Sequence, residues 1–189
     1  ILRKLPSIDP SEPCIVVAGS PNVGKSALIS SLSSGEPEIA AYPFTTKQLH
    51  LGHFIHRRRK YQMVDTPGLL DRPMSERNNI EMQAIAALEN TGDVLLFLID
   101  STADATTSLD EQLNLLEEVK GLISERPKIV VHSKLDLHDS ESLAGKVAVS
   151  SITGQGIEEL RKTLVEMIAA DEVVDPLNLP EDWPRNDLD

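Results

Sequence analysis

Cysteine is nearly missing from this 189-residue chain. The single one, Cys14, excludes an internal disulfide and a multi-cysteine zinc site, and within the apolar stretch Cys14 to Ala18 it reads as a small core hydrophobe in a reducing compartment. Long apolar runs are missing too. The longest, Val94 to Ile99, is far too short to cross a bilayer, and no basic-then-apolar secretory segment opens the chain, so it reads as soluble. Positive charge is in deficit: 18 lysines and arginines face 30 acidic residues, for a net charge of −12. Phosphate neutralisation needs cations, so the charge argues against a general nucleic-acid-binding surface. Half of that charge is local, because residues 171–189 hold seven acidic groups against Arg185 alone. No methionine stands at position 1, and the chain reads as a piece of something longer. What is present, 40% apolar and 25% charged residues, suits one globular domain with a full core.

Against that background one stretch stands out. Gly19-Ser20-Pro21-Asn22-Val23-Gly24-Lys25-Ser26 fits the phosphate-loop pattern GxxxxGK[ST] and follows a short apolar strand. Glycines there let successive N–H groups turn toward a β-phosphate, and the N-terminus of the next helix adds partial positive charge. Lys25 is then expected to reach the β- and γ-phosphates, and the Ser26 hydroxyl to ligate magnesium. A second element follows the strand Tyr61 to Val64: Asp65-Thr66-Pro67-Gly68-Leu69 puts a carboxylate at a strand's carboxyl end and a glycine three residues on. That is where a phosphate-loop fold holds magnesium and senses the γ-phosphate.

The rest of the chain alternates strands with helices. Residues 1–13, with three prolines and no period, read as an extended connector, 14–170 as a nucleotide-binding G domain, and 171–189 as an acidic tail. The helix after the phosphate loop, with Ala27, Leu28 and Leu32, should end near Gly35 and Pro37. Residues 36–47 read as a surface loop, and Gln48 to His56 as a strand with one wet side, Leu49, Leu51, His53 and Ile55 facing the other way. Every third position in that strand is a histidine (His50, His53, His56), a spacing that does not gather them on one face, so no metal site is expected from them. Arg57 to Lys60 reads as a solvated hairpin tip, with an RNA phosphate contact as the alternative. Ile80, Ala84 and Leu88 predict one helix face, and Leu109, Leu113, Leu116, Val119 and Ile123 another, the latter capped by Ser108 and Glu111. Strands are predicted at Val94 to Ile99, Lys128 to Val131 and Lys146 to Val149, and a last helix with Ile157, Leu160, Leu164 and Ile168 facing in. The order predicts an α/β fold: a three-layer P-loop NTPase G domain with a mostly parallel sheet flanked by helices. In the tail, Trp183 suggests an arm that packs on a neighbour rather than a linker.

Taken together, the wording of residues 2–10, of 19–26, of Tyr42-Pro43-Phe44-Thr45-Thr46-Lys47 and of 65–73 resembles the nucleolar GTP-binding protein 1 (NOG) family of Obg-related, translation-factor-class GTPases, over residues 1 to about 170. The resemblance implies a GTPase acting in large-ribosomal-subunit assembly, with a helical domain ahead of the G domain. It implies GTP/GDP and Mg²⁺ as ligands, a pre-ribosomal particle or rRNA as partner, no membrane, a monomer, and a cytoplasmic site, nucleolar in a eukaryote. Residue by residue, the phosphate loop from Gly19 through Ser26 and Ala27 would wrap the nucleotide. Either Thr45 or Thr46 would close on magnesium and γ-phosphate, and Asp65 and Gly68 would form the second switch. Asn22 matches an asparagine that ligates K⁺ in some relatives, where a cation would neutralise developing charge.

Two departures bear on chemistry. Leu69 stands where many small GTPases carry a water-orienting glutamine, which implies slow unassisted turnover, on the order of 10⁻⁴ to 10⁻² per second. Ser133 stands where the base-reading NKxD motif has asparagine, leaving Lys134 to lie over the base and Asp136 to accept from guanine N1 and N2, with the Ser150-Ser151-Ile152 segment at the O6 edge. One lost hydrogen bond costs about 0.5–1.5 kcal/mol, whereas a carboxylate left unpaired by adenine discriminates by roughly 10⁴-fold, so guanine remains the expected base. Leu69 also motivates a second reading, a nucleotide-occupied structural module with negligible hydrolysis. Ser133 lends slight weight to a third, a P-loop ATPase or kinase.

Overall fold

The computed structural model describes residues 8–41, 47–123, 125–139 and 142–174. The first strand, β1 (Cys14–Ala18), is buried on both faces and lies inside a six-stranded sheet. It leads through the phosphate loop into helix α1 (Lys25–Leu32). Strands β2 (Glu38–Ala41), β3 (Gln48–His56) and β4 (Arg59–Asp65) follow, then helix α2 (Asn79–Thr91), strand β5 (Val94–Ile99), helix α3 (Leu109–Leu122), strand β6 (Lys128–His132) and helix α4 (Ile157–Val174). The sheet order is β2-β3-β4-β1-β5-β6. β4, β1, β5 and β6 run parallel, while β3 is antiparallel to both of its neighbours. The mostly parallel α/β sheet read from the sequence is the observed one.

Alternation along the central strands builds the two cores. Cys14, Val16 and Ala18 of β1 with Leu95, Phe97 and Ile99 of β5 face α2 and α3, where Ala84, Ile85, Leu88, Leu115, Leu116 and Val119 meet them. Ile15 and Val17 with Leu96 and Leu98 face α1 and α4, against Leu28, Ile29, Leu32, Leu160, Leu164 and Ile168. A continuous apolar strand such as β5 thus feeds both layers at once. Ahead of β1, Ile8 is buried in the first layer, and the Gln62 side chain clasps the backbone there, accepting from Asp9 N–H at 2.9 Å and donating to the carbonyls of Asp9 and Glu12 at 2.8 and 3.2 Å.

Several expectations need correction. The stretch 36–47 is not loop throughout, because β2 pairs with β3 from Glu38↔Leu51 to Ala41↔Gln48; as an edge strand wet on both faces it carries no apolar period to read. β3 has no single wet side: Leu49 enters one core, while Phe54 enters the other and stacks on Tyr61 with 5.1 Å between ring centroids, leaving Ile55 exposed. Lys146 to Val149 forms no strand, only a single bridge of Ala148 to His132, because the chain turns at once into the Ser150 loop. The hairpin tip is Arg57 and Arg58 alone, both left-handed; Arg59 belongs to β4, where Glu172 of α4 holds it through two hydrogen bonds, 2.5 and 3.0 Å. The inner faces of α2 and α3 are rotated relative to their apolar periods. Ile80, Leu109 and Leu113 are exposed, while the polar residues Glu81 and Gln112 are buried. α1 stops at Leu32, where Ser33 Oγ donates back to the Ile29 carbonyl at 2.7 Å.

Candidate functional site

The phosphate loop lies at the carboxyl end of β1, where the parallel strands of the sheet open. Gly19 is left-handed, at φ 143°, and a Cβ there would sit 2.5 Å from the Leu98 carbonyl oxygen, so no side chain fits. Asn22 and Gly24 are left-handed as well, which turns the loop into the start of α1. No side chain caps α1 and no acidic residue occupies its first turn, so its N–H groups remain available to an anion. Lys25 lies back across the loop, its Nζ donating to the Gly19 and Ser20 carbonyls at 2.8 and 3.0 Å. Burial lowers its pKa, and the carboxylates of Asp65 and Asp71 oppose that shift. A buried ammonium leaning on carbonyls at the mouth of an N–H cradle suits an incoming polyphosphate.

Beside it, Ser26 Oγ donates to Asp65 Oδ2 at 3.4 Å and lies 3.1 Å from His50 Nδ1. A hydroxyl has one proton, so when Asp65 takes it Ser26 Oγ is free to accept from the histidine ring. His50 also stands 3.7 Å from Asp65. Burial raises the Asp65 pKa, with Lys25 and then His50 pulling the other way, and its Oδ1 is buried without a hydrogen-bond partner among the described residues. A buried, unpartnered carboxylate oxygen beside a serine hydroxyl fits a hard divalent cation completed by phosphate oxygens and water. Thr45 and Thr46, the other residues expected at the metal, lie outside the described residues.

The segment after β4 folds back over the loop. Gly19 N–H donates to the Leu70 carbonyl at 3.1 Å, and Leu69 is wholly buried in the layer beneath α2. Leu69 therefore neither orients water nor faces the site. Gly68, at φ 80°, stands at the rim with its N–H given to Asp71.

About the base position, Asp136 follows β6 on an exposed turn and accepts from Ser150 Oγ at 2.5 Å, while Ser150 Oγ also caps Thr153 N–H at 3.1 Å. Ser133 is buried, its hydroxyl donating to the Ile99 carbonyl at 3.2 Å rather than reaching outward. Lys134, left-handed at φ 56°, pairs with the buried carboxylate of Asp100 at the end of β5. Burial pushes Asp100 up, but the Lys134 and Thr102 hydrogen bonds outweigh it and hold it low. Ser151 accepts through its carbonyl from Ser31 Oγ at 3.1 Å, tying this loop to α1, and Ile152 and Leu137 are exposed. The fold thus brings Gly19 to Ala27, Asp65 and Gly68 to one end of the sheet, with Ser133, Lys134, Asp136 and Ser150 to Ile152 at the ends of its next elements.

Sequence reasoning missed three residues here. His50 went unread because only its spacing to other histidines was weighed, not its place on the face of β3 across from Ser26. Asp100 is an aspartate ending an apolar strand, the same signal that singled out Asp65. Asp71 has no signal apart from lying three residues beyond Gly68.

The family described as 50S ribosome-binding GTPase matches residues 14–134. Nucleolar GTP-binding protein 1 of Caenorhabditis elegans is 35% identical over 187 residues, 91% of this chain and 28% of that protein. Its counterpart in Drosophila melanogaster is 42% identical over 142 residues, 75% of this chain and 22% of that protein. The chain therefore spans about a quarter of the length of these curated relatives. Among solved structures, one from Plasmodium falciparum provisionally named nucleolar GTP-binding protein 1 superposes with a TM-score of 0.76 at 32% identity, covering 89% of this chain and 92% of that one. The G domain of the Thermotoga maritima FeoB iron transporter follows at a TM-score of 0.65 and 26% identity, over 82% of this chain and 98% of that one.

Proposed function

This chain belongs to the family of 50S ribosome-binding GTPases, and from that premise we propose that it is the guanine-nucleotide switch of a longer protein acting in maturation of the large ribosomal subunit. The observation that supports this most is the pairing at one end of the sheet of a phosphate loop, its lysine already lying across it, with an unpartnered buried Asp65 carboxylate oxygen beside Ser26. Lys25 and the loop N–H groups bind and orient the β- and γ-phosphates. Ser26 and Asp65 would hold Mg²⁺ with one of Thr45 and Thr46, and such an ion neutralises charge on the phosphate oxygens. Asp136, kept in place by Ser150, accepts from the guanine N1 and N2 edge. Lys134, steered by Asp100, covers the base, and exposed Ile152 and Leu137 offer apolar surface beside it.

The catalytic charge has no glutamine to rely on, since Leu69 is in the core. Asn22, left-handed within the loop, is the candidate ligand for K⁺ near the transferring phosphate. The pre-ribosomal partner is proposed from the relatives' names, as is a nucleolar location in a eukaryote. No described helix is long and apolar enough to cross a membrane. The buried Leu69 also favours the second reading, a nucleotide-occupied module that barely hydrolyses. Multiple-turnover GTP hydrolysis in Na⁺ and in K⁺ buffers, with and without pre-ribosomal particles, separates them: a switch accelerates at least tenfold in one condition and loses that rate in Lys25→Ala, whereas flat, near-zero turnover throughout leaves the structural module.

A further inference from the structure

Both backbone groups of Gly68 are already engaged by the chain itself. Its N–H donates to Asp71 Oδ2 at 2.7 Å, and its carbonyl accepts from Arg77 Nη1. Arg77 is wholly buried at its side chain, donates also to the Arg72 carbonyl at 2.7 Å, and stands 3.8 Å from Asp71 Oδ1. Asp71 is itself only 12% exposed, and its Oδ1 has no hydrogen-bond donor among the described residues. The carboxylate is near enough to the phosphate site to act electrostatically on both Lys25 and Asp65. An acid beside a buried arginine thus sits on the Gly68 N–H, close to Lys25 and Asp65.

We propose that Asp71 sets the preference between nucleotide states by occupying, on the Gly68 N–H, the position that the γ-phosphate of a nucleoside triphosphate would take. The inference rests on the guanine-nucleotide reading above. A single N–H serves one strong acceptor, and two anions cannot share it without repulsion, which partial burial strengthens. A diphosphate leaves Asp71 in place; a triphosphate must expel it and free the segment from Gly68 to Arg77. Only an interaction that differs between the two states can move their balance, and this one differs by the whole contact. Arg77 is the positioning residue that keeps the carboxylate aimed.

The test measures the affinities of the whole chain for GDP and for a non-hydrolysable GTP analogue in Mg²⁺ buffer, in wild type, Asp71→Ala and Asp71→Asn. Removing one charge-assisted competitor should raise the analogue-to-GDP affinity ratio by about tenfold in Asp71→Ala, with GDP affinity held within about twofold. Asp71→Asn keeps the shape and a neutral acceptor, should fold if the alanine variant does not, and should give an intermediate ratio. An unchanged or lowered ratio in a variant that still binds GDP overturns the proposal while leaving the nucleotide reading intact. Failure of wild type to bind either nucleotide overturns both.

Discussion

At the scale of single residues, the candidate site is a set of groups held in place by their neighbours. Asp136 is aimed by Ser150 and Lys134 by Asp100. Ser133 turns its hydroxyl inward to the Ile99 carbonyl, so the proposed base site lacks the donor and acceptor that an asparagine would supply. Ser133→Asn should therefore tighten GDP binding by about 0.5–1.5 kcal/mol, and Asp136→Ala should abolish the preference for GDP over ADP, both read from fluorescent-nucleotide titrations. Lys25, Ser26, Asp65 and Asp136 were singled out in the sequence because a phosphate loop and a strand-ending aspartate are local patterns, and the fold gathers Lys25, Ser26 and Asp65 at one end of the sheet. His50 and Asp71 were not. His50 matters through a contact from β3 to Ser26 of α1 at 3.1 Å, which no spacing within one segment encodes, and Asp71 through a turn contact to the Gly68 N–H at 2.7 Å, which residue type alone does not announce.

At the scale of elements, polar residues decide how the helices sit. Gln112 is buried because its side chain accepts from Asp100 N–H at 2.9 Å and donates to the Asp100 and Thr107 carbonyls at 2.7 and 2.8 Å. That clasp satisfies backbone at the end of β5 and turns α3 away from the face its leucines predict. Glu81 does the same for α2: it completes a capping box with Asn78 and takes Arg72 at 2.9 Å and Lys47 at 3.6 Å. The Asn78 N–H holds its carboxyl below the usual range against the effect of burial, with Arg72 and Lys47 assisting. A lowered acid stabilises the fold above its ordinary pKa and loses that contribution as pH falls through the lowered value. Glu81→Gln should lower stability by about 1–2 kcal/mol at pH 7 and flatten the loss of stability in acid, measured by urea unfolding from pH 7 to pH 3. On β3, Gly52 lies beneath α1, where a Cβ would sit 2.3 Å from Ser33 Oγ and 2.5 Å from Ile29 Cγ2. Gly52→Ala should lift the helix that carries Lys25 and Ser26, costing about 1–3 kcal/mol in thermal unfolding and weakening GDP binding with it. The Ser108–Glu111 cap of α3 was readable in advance; the Asn78–Glu81 cap of α2 and the rotation of both helices were not, since the rotation follows from buried polar groups finding backbone partners.

At the scale of the whole molecule, the two cores share one sheet, so the candidate site and the strands beneath it should open together. Cys14 reports on that opening. It is buried on β1, and burial pushes its thiol far above the ordinary range, so the folded chain should resist thiol reagents. Labelling should then follow unfolding, and GDP at a hundred times its Kd should slow it about 100-fold by mass action. Rapid labelling that ignores GDP would mean that β1 frays alone. The fold class was legible because alternating strands and helices admit few arrangements, whereas β2 escaped notice as an edge with no buried face and the stretch before β6's bridge to Ala148 was too short to stand as a strand. The proposed switch depends on this end of the sheet reading guanine through Asp136 although Ser133 replaces the asparagine. Titrating the chain with fluorescent GDP and ADP in Mg²⁺ buffer tests it directly: tight GDP binding with ADP weaker by roughly 10⁴-fold is the predicted result, and equal or absent binding of the two would contradict it.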